Sequence, residues 1–416
     1  MSAQWSMIVF GLVATSVWLA LHAYLGWSLT RGVAKDAASR KALRAALGVS
    51  FLLTTSTFYV RQVNPDLPAV HGLLFVAYTL MGAVSLLVIH AALRDWLWWL
   101  AAVVASFRRG SAVGPSDPEG AADAARPPSA ATREAFSEDR RRFLRWSSGG
   151  VLAATAAATG VGVAGGVRLP RVVEVSTPIE GLPASLEGLR IAHLSDLHLG
   201  PTLRRAFCEE VVARTNRARP DLVVITGDLV DGYPERIGHY TEPLDGLEAT
   251  HGVYYVTGNH EYYWEGPRWV AYLQRERRLQ VLLNEHRTFE HRGQPVVVAG
   301  VTDHSAGRLA PGHREDARAA LRGAPAGAFR LFLAHQPLSV HAADEQGFDL
   351  FLAGHTHGGQ YYPWNAVVGK VHPFSAGLYR RPGKGTVFIS QGTGYWGPPM
   401  RIGTENEIPL LVLRRA

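Results

Sequence analysis

A single cysteine, Cys208, stands among the 416 residues, so no intrachain disulfide can form and no cage of thiolates can hold a metal. Lysine is nearly as scarce. Only Lys35, Lys41, Lys370 and Lys384 carry an ammonium group, and the rest of the 42 Lys and Arg residues are arginine. The formal net charge of +7 therefore rests on guanidinium groups, many of which flank apolar stretches. No basic run interleaved with stacking aromatics occurs in the C-terminal part, which argues against a nucleic-acid groove and for a membrane surface. With no disulfide to indicate the compartment, the side of the membrane has to come from topology.

Apolar runs dominate the first third: Met7 to Leu29, about Ala45 to Val60, Val70 to Leu93, and Trp96 to Phe107. Crossing the hydrocarbon core takes about 20 apolar residues, so the first and third runs qualify and the second is marginal. The fourth is too short alone; its tryptophans suit an interfacial continuation of the third helix. Residues 1–109 are thus expected to form a transmembrane helical region. Between the first two runs lie Arg31, Lys35, Arg40, Lys41 and Arg44, whereas the next connection, RQVNPDLPAV, has one arginine and one aspartate. The positive-inside rule puts the first loop in the cytoplasm and the second outside, and Arg94, Arg108 and Arg109 mark the return to the cytoplasm. Residues 110–138, rich in Ala, Pro, Ser, Gly and acidic groups, read as a flexible linker.

Residues 139–168 begin DRRRFLRW and run into an Ala/Gly-rich apolar stretch. Arg140 and Arg141 followed by Phe143, Leu144 and Arg145 resemble a twin-arginine export signal, and a plain anchor helix is the other reading. Both place Leu169 onward outside the cytoplasmic membrane.

From residue 169 to 416 short apolar runs alternate with helical stretches, which predicts an α/β domain. Buried strands are expected at Leu189–Ser195, Asp221–Gly227, Gly252–Gly258, Pro295–Val301, Arg330–His335, Asp349–Gly354 and Thr386–Ser390, and helices at Leu203–Arg217, Pro234–Leu247 and Pro267–Arg277. Open α/β sheets keep their ligands at strand ends. Those ends carry Asp196 and His198, then Asp228 and Asp231, then Asn259, His260 and Glu261, then His335, then His355 and His357. Any one is weak, because Asp and Asn are common turn residues and a lone histidine usually serves the structure. In order, they form an oxygen and imidazole donor set suited to Mn, Fe or Zn. The carboxylate of Asp228 has two oxygens and can serve two ions. Asp303 and His304 are weaker candidates for the mouth of a site, with a strand-end turn as the other reading; Arg401 could contact a substrate phosphate through its planar fork or brace Glu405 or Glu407; Tyr262, Tyr263 and Trp264 are a substrate platform or packing beside the metal loop; and His239, His251, His286 and His291 have no motif partners.

The ordered set D-x-H, G-D-x-x-D, G-N-H-E, a later His and G-H-x-H resembles the calcineurin-like metallophosphoesterase superfamily from about Gly188 onward. The wording GHTHGGQ, the preceding apolar runs and the closing SQGTGYWGPPMRIGTENEIPLLVL are similar to its bacterial membrane-linked members. The resemblance implies a two-sheet β-sandwich flanked by helices, the four-layer αββα arrangement. It also implies two divalent ions, one held by Asp196, His198, Asp228 and His357 and the other by Asp228, Asn259, His335 and His355. His260, paired with Asp231, is then expected to be the general acid or a donor to phosphate.

The expected function is a membrane-tethered phosphoesterase acting on monoesters or diesters. A membrane tether raises the local concentration of lipid-linked phosphates, such as phospholipids or UDP-diacylglucosamine-like compounds, and Arg168 and Arg171 would draw anionic headgroups. The alternative is a membrane sensor or scaffold that binds phosphate without turnover. Such a protein would be expected to have lost a ligand or the His260 equivalent, and none is missing here.

Overall fold

The computed structural model describes residues 3–32, 36–60, 66–111 and 130–416; most of the expected linker, 112–129, lies outside the described residues. The chain divides into two compact units, one of Met1–Thr57 and Thr79–Gly160, the other of Phe58–Tyr78 and Val161–Ala416.

The first four helices are α1 (Ala3–Gly32), α2 (Ala37–Val60), α3 (Pro68–Ser111) and α4 (Ala130–Gly166). Gly11–Gly32, Pro68–Ala105 and Arg142–Gly166 are long and apolar enough to cross a membrane. Helix α2 is not among them. Arg40, Lys41 and Arg44 occupy its first turns, and at about 1.5 Å per residue the apolar remainder falls short of a core roughly 30 Å thick. The Trp96–Phe107 segment continues α3 without a break, and α4 starts at Ala130, inside the stretch expected to be linker.

Arg94, expected near the end of the third run, lies buried inside the first unit, within α3. Its guanidinium donates to Asp95 Oδ1 at 2.7 Å and Ser148 Oγ at 2.6 Å, while Asp95 Oδ2 accepts from Tyr24 at 2.9 Å and Ser28 at 2.6 Å. A charge pair in an apolar bundle is tolerated when its donors and acceptors are satisfied in this way.

The second unit holds two six-stranded sheets. The first has the order β1 (Arg171–Ile179), β12 (Glu407–Arg415), β2 (Arg190–Leu194), β3 (Leu222–Thr226), β4 (Val253–Val256), β5 (Gln280–Val281). The second runs β10 (Gly377–Arg380), β11 (Thr386–Ile389), β9 (Leu350–Ala353), β8 (Phe329–Leu333), β7 (Gln294–Gly300), β6 (Glu285–His291). Strands β2 to β5 are parallel, as are β7, β8, β9 and β11.

Side chains alternate between faces along each strand, and this alternation builds the layers. Leu222 and Val224 of β3 pack with Leu331 and Leu333 of β8 between the sheets. Val223 and Ile225 point the other way, toward Cys208 and Val211 of helix α5 (Arg205–Arg217) and Trp269 of a helix at Gly266–Glu276. On the far face of the second sheet, Phe332 and Phe351 pack against Ala317, Ala320 and Val340. The result is the four-layer αββα sandwich.

All seven expected strands are present. The helix expected at Pro234–Leu247 is only Pro234–Ile237, followed by a 3₁₀ stretch Gly238–Gly246. Gly238 and an internal Pro243 disfavour a continuous α-helix there.

Candidate active site

The carboxyl ends of the parallel strands β2, β3, β4, β8 and β9 deliver Asp196, Asp228, Asn259, His335 and His355 to one place, with His198 and His357 two residues beyond the first and last of these. Five of the seven have left-handed backbones: Asp196 (φ 54°), His198 (φ 48°), Asp228 (φ 48°), His355 (φ 70°) and His357 (φ 50°). Such conformations are uncommon for residues with a Cβ and gather at functional sites, held there by their surroundings. Close packing contributes to that hold. A Cβ on Gly354 would sit 1.9 Å from Ser195 Oγ and 2.2 Å from Asp196 Oδ2, so only glycine lets β9 approach β2. His355 N–H then donates to Asp196 Oδ1 at 3.0 Å.

Two ligand groups converge. In the first, His198 Nε2 lies 3.1 Å from His357 Nε2, and His357 Nε2 lies 3.5 Å from Asp196 Oδ1. In the second, His335 Nε2 lies 3.1 Å from both Asn259 Oδ1 and His355 Nδ1. Asp228 Oδ2 stands between them, 3.2 Å from His335 Nε2 and 3.8 Å from His198 Nε2. The other nitrogen of each of two rings has a partner: His335 Nδ1 faces the Thr226 carbonyl at 2.7 Å, and His198 Nδ1 faces Asp231 Oδ2 at 3.1 Å. Engaging the far nitrogen in this way is how proteins orient imidazole toward an ion.

The expected pairing of Asp231 with His260 is present, Oδ1 to Nδ1 at 2.5 Å, and the contact of Oδ2 with His198 is a second task that its place in the motif did not reveal, so one carboxylate braces both rings. Burial alone would raise the Asp231 pKa, but the two imidazoles, His260 first, hold it well below the usual carboxylate range. Burial would likewise depress His335 and His260, and carboxylates outweigh it. Asp228 pushes His335 up to about 10, and Asp228 with Asp231 pushes His260 up to about 9. Burial holds His355 and His357 down, so those rings stay neutral with lone pairs to offer, beside carboxylates whose charge favours a cation, and the donors are nitrogen and oxygen without sulfur. Both properties fit divalent cations of the Mn, Fe and Zn kind.

Glu261, the last residue of G-N-H-E, has a structural role. It is fully buried, and its carboxylate accepts from the backbone N–H groups of Gly258 at 2.6 Å, Leu229 at 2.7 Å and Asp228 at 3.2 Å. It thereby ties the turn that follows β3 to the one that follows β4. Only its position right after the Asn-His pair hinted at this. Burial first, then the charge of Asp228, pushes it up to about 7.

Arg401 neither faces the pocket as a phosphate ligand nor braces Glu405 or Glu407. It is 2% exposed. Its donors go to the carbonyls of His357 (3.0 Å), Gln391 (2.7 Å) and Gly394 (2.5 Å) and to Asn406 Oδ1 (3.0 Å), so it supports the strained backbone of His357 from behind. Asp303 is buried and bonded to Ser305 and Gln336, and His304 pairs with Glu315. Tyr262 and Trp264 are packing residues. Tyr263 is half exposed, with its ring 5.2 Å from that of His260, and Trp396, which the sequence did not single out, lies 5.4 Å away on another side. His239 pairs with Asp66, His251 with His291, and His286 with the Ala320 carbonyl, all apart from the ligand groups.

The calcineurin-like phosphoesterase family matches residues 189–359, the span that contains every one of the clustered ligands. An uncharacterized metallophosphoesterase of Aquifex aeolicus is 30% identical over 246 residues, covering 59% of this chain and 92% of its own length. A transmembrane protein with metallophosphoesterase domain from Danio rerio is 39% identical over 261 residues, 61% of this chain and 60% of its own. A protein of the same description from Bos taurus is 38% identical over 296 residues, 69% of this chain and 66% of its own. The chain thus spans less than two thirds of these two vertebrate relatives. It belongs to the calcineurin-like metallophosphoesterase family.

Proposed function

We propose that the protein is a membrane-tethered phosphoesterase that uses two divalent ions. Asp196, His198, Asp228 and His357 would hold one, and Asp228, Asn259, His335 and His355 the other. The observation that carries this reading is the position of Asp228 Oδ2, within 3.8 Å of ring nitrogens from both ligand groups. When bound, the ions supply Lewis-acid charge for the phosphoryl oxygens and lower the pKa of water. The chain's own residues do the rest. His260 keeps Nδ1 on Asp231 and has Nε2 for the substrate, so it donates a proton to the departing alkoxide as water's oxygen bonds to phosphorus and the ester P–O bond breaks. Asp231 holds that ring and the His198 ring in one geometry. Tyr263 and Trp396 flank the His260 ring and would steer an apolar leaving group. The purified full-length protein, stripped with chelator and given back Mn, is expected to hydrolyse a chromogenic monoester or diester and to be inert before the metal is returned. Activity independent of added metal would sink the reading.

We further infer that the catalytic unit lies outside the cytoplasmic membrane and that 139–168 stays attached as an anchor, whether or not the twin-arginine machinery delivers it. Two contacts support this. Asp66, in the connection between α2 and α3, accepts from Tyr240 OH at 2.6 Å and pairs with Arg204, which favours one side for that connection and the catalytic sheets. The end of α4 is also bonded into the catalytic unit. Arg401 N–H donates to the Gly162 carbonyl at 2.8 Å, and Asn406 Nδ2 to those of Gly166 and Arg168, both at 2.8 Å. A reporter that is active only outside the cytoplasm is expected to work when fused after Ala416 and to fail when fused at Ser116. The reverse pattern would refute the arrangement. Replacing Arg140 and Arg141 with lysine separates the two delivery routes, since only twin-arginine export needs the arginines.

Lipid-linked phosphates remain the substrate class this tether suits best, because surface confinement raises their effective concentration.

A further inference from the structure

Immediately after the metal loop comes a short helix, α6 (Trp364–Val371), of sequence WNAVVGKV, and none of its residues is buried. Trp364 is 46% exposed, Val367 43% and Val371 66%, with Lys370 the one charge among them. Exposed apolar side chains scattered singly need no explanation, but a contiguous set marks an interaction surface. Trp396, 51% exposed, lies beside the His260 ring, and its backbone is bonded to Gln360, four residues before α6.

The attachment of this helix indicates what covers it. Asn365 Nδ2 donates to the Ile402 carbonyl at 3.3 Å, and Gln360 bonds Trp396 and Pro398 through its side chain and Ile402 through its carbonyl. The same 398–406 segment carries the end of α4. A Cβ on Gly165 would lie 2.7 Å from the Arg401 carbonyl and one on Gly166 2.4 Å from that of Pro399, so the helix backbone rests directly on this segment. One bracket therefore holds the end of a candidate membrane span, Arg142–Gly166, on one side and α6 on the other. Beside that end, Val167 and Leu169 are also exposed, and Arg168 and Arg171 follow. Apolar residues edged with arginine and lysine are the composition of a surface that lies in a headgroup layer.

We propose that α6 is an interfacial helix that dips into the bilayer beside the end of α4, so that a phosphoester carried on a lipid reaches His260 without leaving the membrane. This rests on the membrane-tethered phosphoesterase reading. The bilayer is the occupant because the bracket begins where the span ends.

The test uses the full chain in vesicles of phosphatidylcholine and phosphatidylglycerol containing phosphatidic acid. Cys208 is buried, so a fluorophore can be attached selectively to Val367→Cys or, as a control, to Glu276→Cys on the exposed end of another helix. The label at 367 is expected to shift to shorter wavelength and be quenched by spin-labelled lipid, and the label at 276 to do neither. The triple variant Trp364→Ser, Val367→Ser, Val371→Ser is expected to lose about tenfold in phosphatidic acid hydrolysis, since interfacial binding scales with buried apolar area, and to keep its rate on soluble p-nitrophenyl phosphate. An unquenched label at 367, or one whose shift disappears on dilution because a second copy of the chain covered it, overturns the proposal. Quenching at 367 with no hydrolysis of either ester would instead overturn the phosphoesterase reading and leave the interfacial helix standing.

Discussion

Asp228→Asn is expected to strip the protein of most of its bound metal and of nearly all hydrolysis while leaving the fold intact. Asparagine matches the shape of aspartate and can still accept the His260 N–H that now reaches Oδ1 at 2.9 Å. It has no negative charge to set between the two ligand groups, and its amide would point toward one of them where Oδ2 does now. Removing one partner from a buried charge cluster costs roughly 3–5 kcal/mol, and at about 1.4 kcal/mol per decade that is a fall in ion affinity of two to four decades. Metal analysis on the purified variant reads this directly, and thermal unfolding checks that the protein is still folded. A variant that retained two equivalents of metal and near-normal turnover would show that Asp228 does not bridge.

His260→Ala is expected to behave differently, keeping its metal and slowing turnover by about 100-fold or more, the usual cost of losing a general acid. His260 has its Nδ1 committed to Asp231, and it clusters with His198 and Asp231 rather than with the Asp196 or His335 groups. The leaving group sharpens the test. With an alkyl ester the full loss should appear, and with a nitrophenyl ester, whose oxyanion departs without a proton, most of it should vanish. Asp231→Asn should combine both defects, because its carboxylate braces His198 as well as His260. Metal affinity in that variant is expected to fall by about 10- to 100-fold, as is typical when the partner of a ligating histidine is removed. An Asp231→Asn protein with unaltered metal affinity would show that the contact with His198 is incidental.

Strands were legible wherever a short apolar run met a polar turn. Leu222–Thr226 and Leu350–Ala353 are buried on both faces because helices cover the outer side of each sheet, so they read as continuous hydrophobic segments. Strand β1 was not legible. Its residues alternate exposed and half-buried along much of its length, and it is a strand because it pairs in parallel with β12 at the opposite end of the unit. The two-residue β5 exists only through its register with Tyr254 and Tyr255. The burial of Arg94 was not legible for a related reason. Charge near the end of an apolar run normally marks a loop, but here Ser28 and Ser148, far away in sequence, supply the partners that let an arginine stay inside.

The order of Asp196, His198, Asp228, Asn259, His335, His355 and His357 along the chain was enough to point to the family and the donor chemistry, because each candidate ligand follows a strand that the local pattern reveals. That information is local, written within a few residues of each turn. What only the tertiary structure decided is which groups stand behind the ligands. Glu261 locks the turns that follow two neighbouring strands, Asp231 divides its carboxylate between two histidines, and Arg401, 44 residues beyond His357, holds that histidine's carbonyl while its own N–H grips the end of α4. These roles depend on hydrogen-bond distances between segments that meet only when both sheets have closed, and no periodicity or motif spacing along a single chain encodes where a buried donor will find its acceptor.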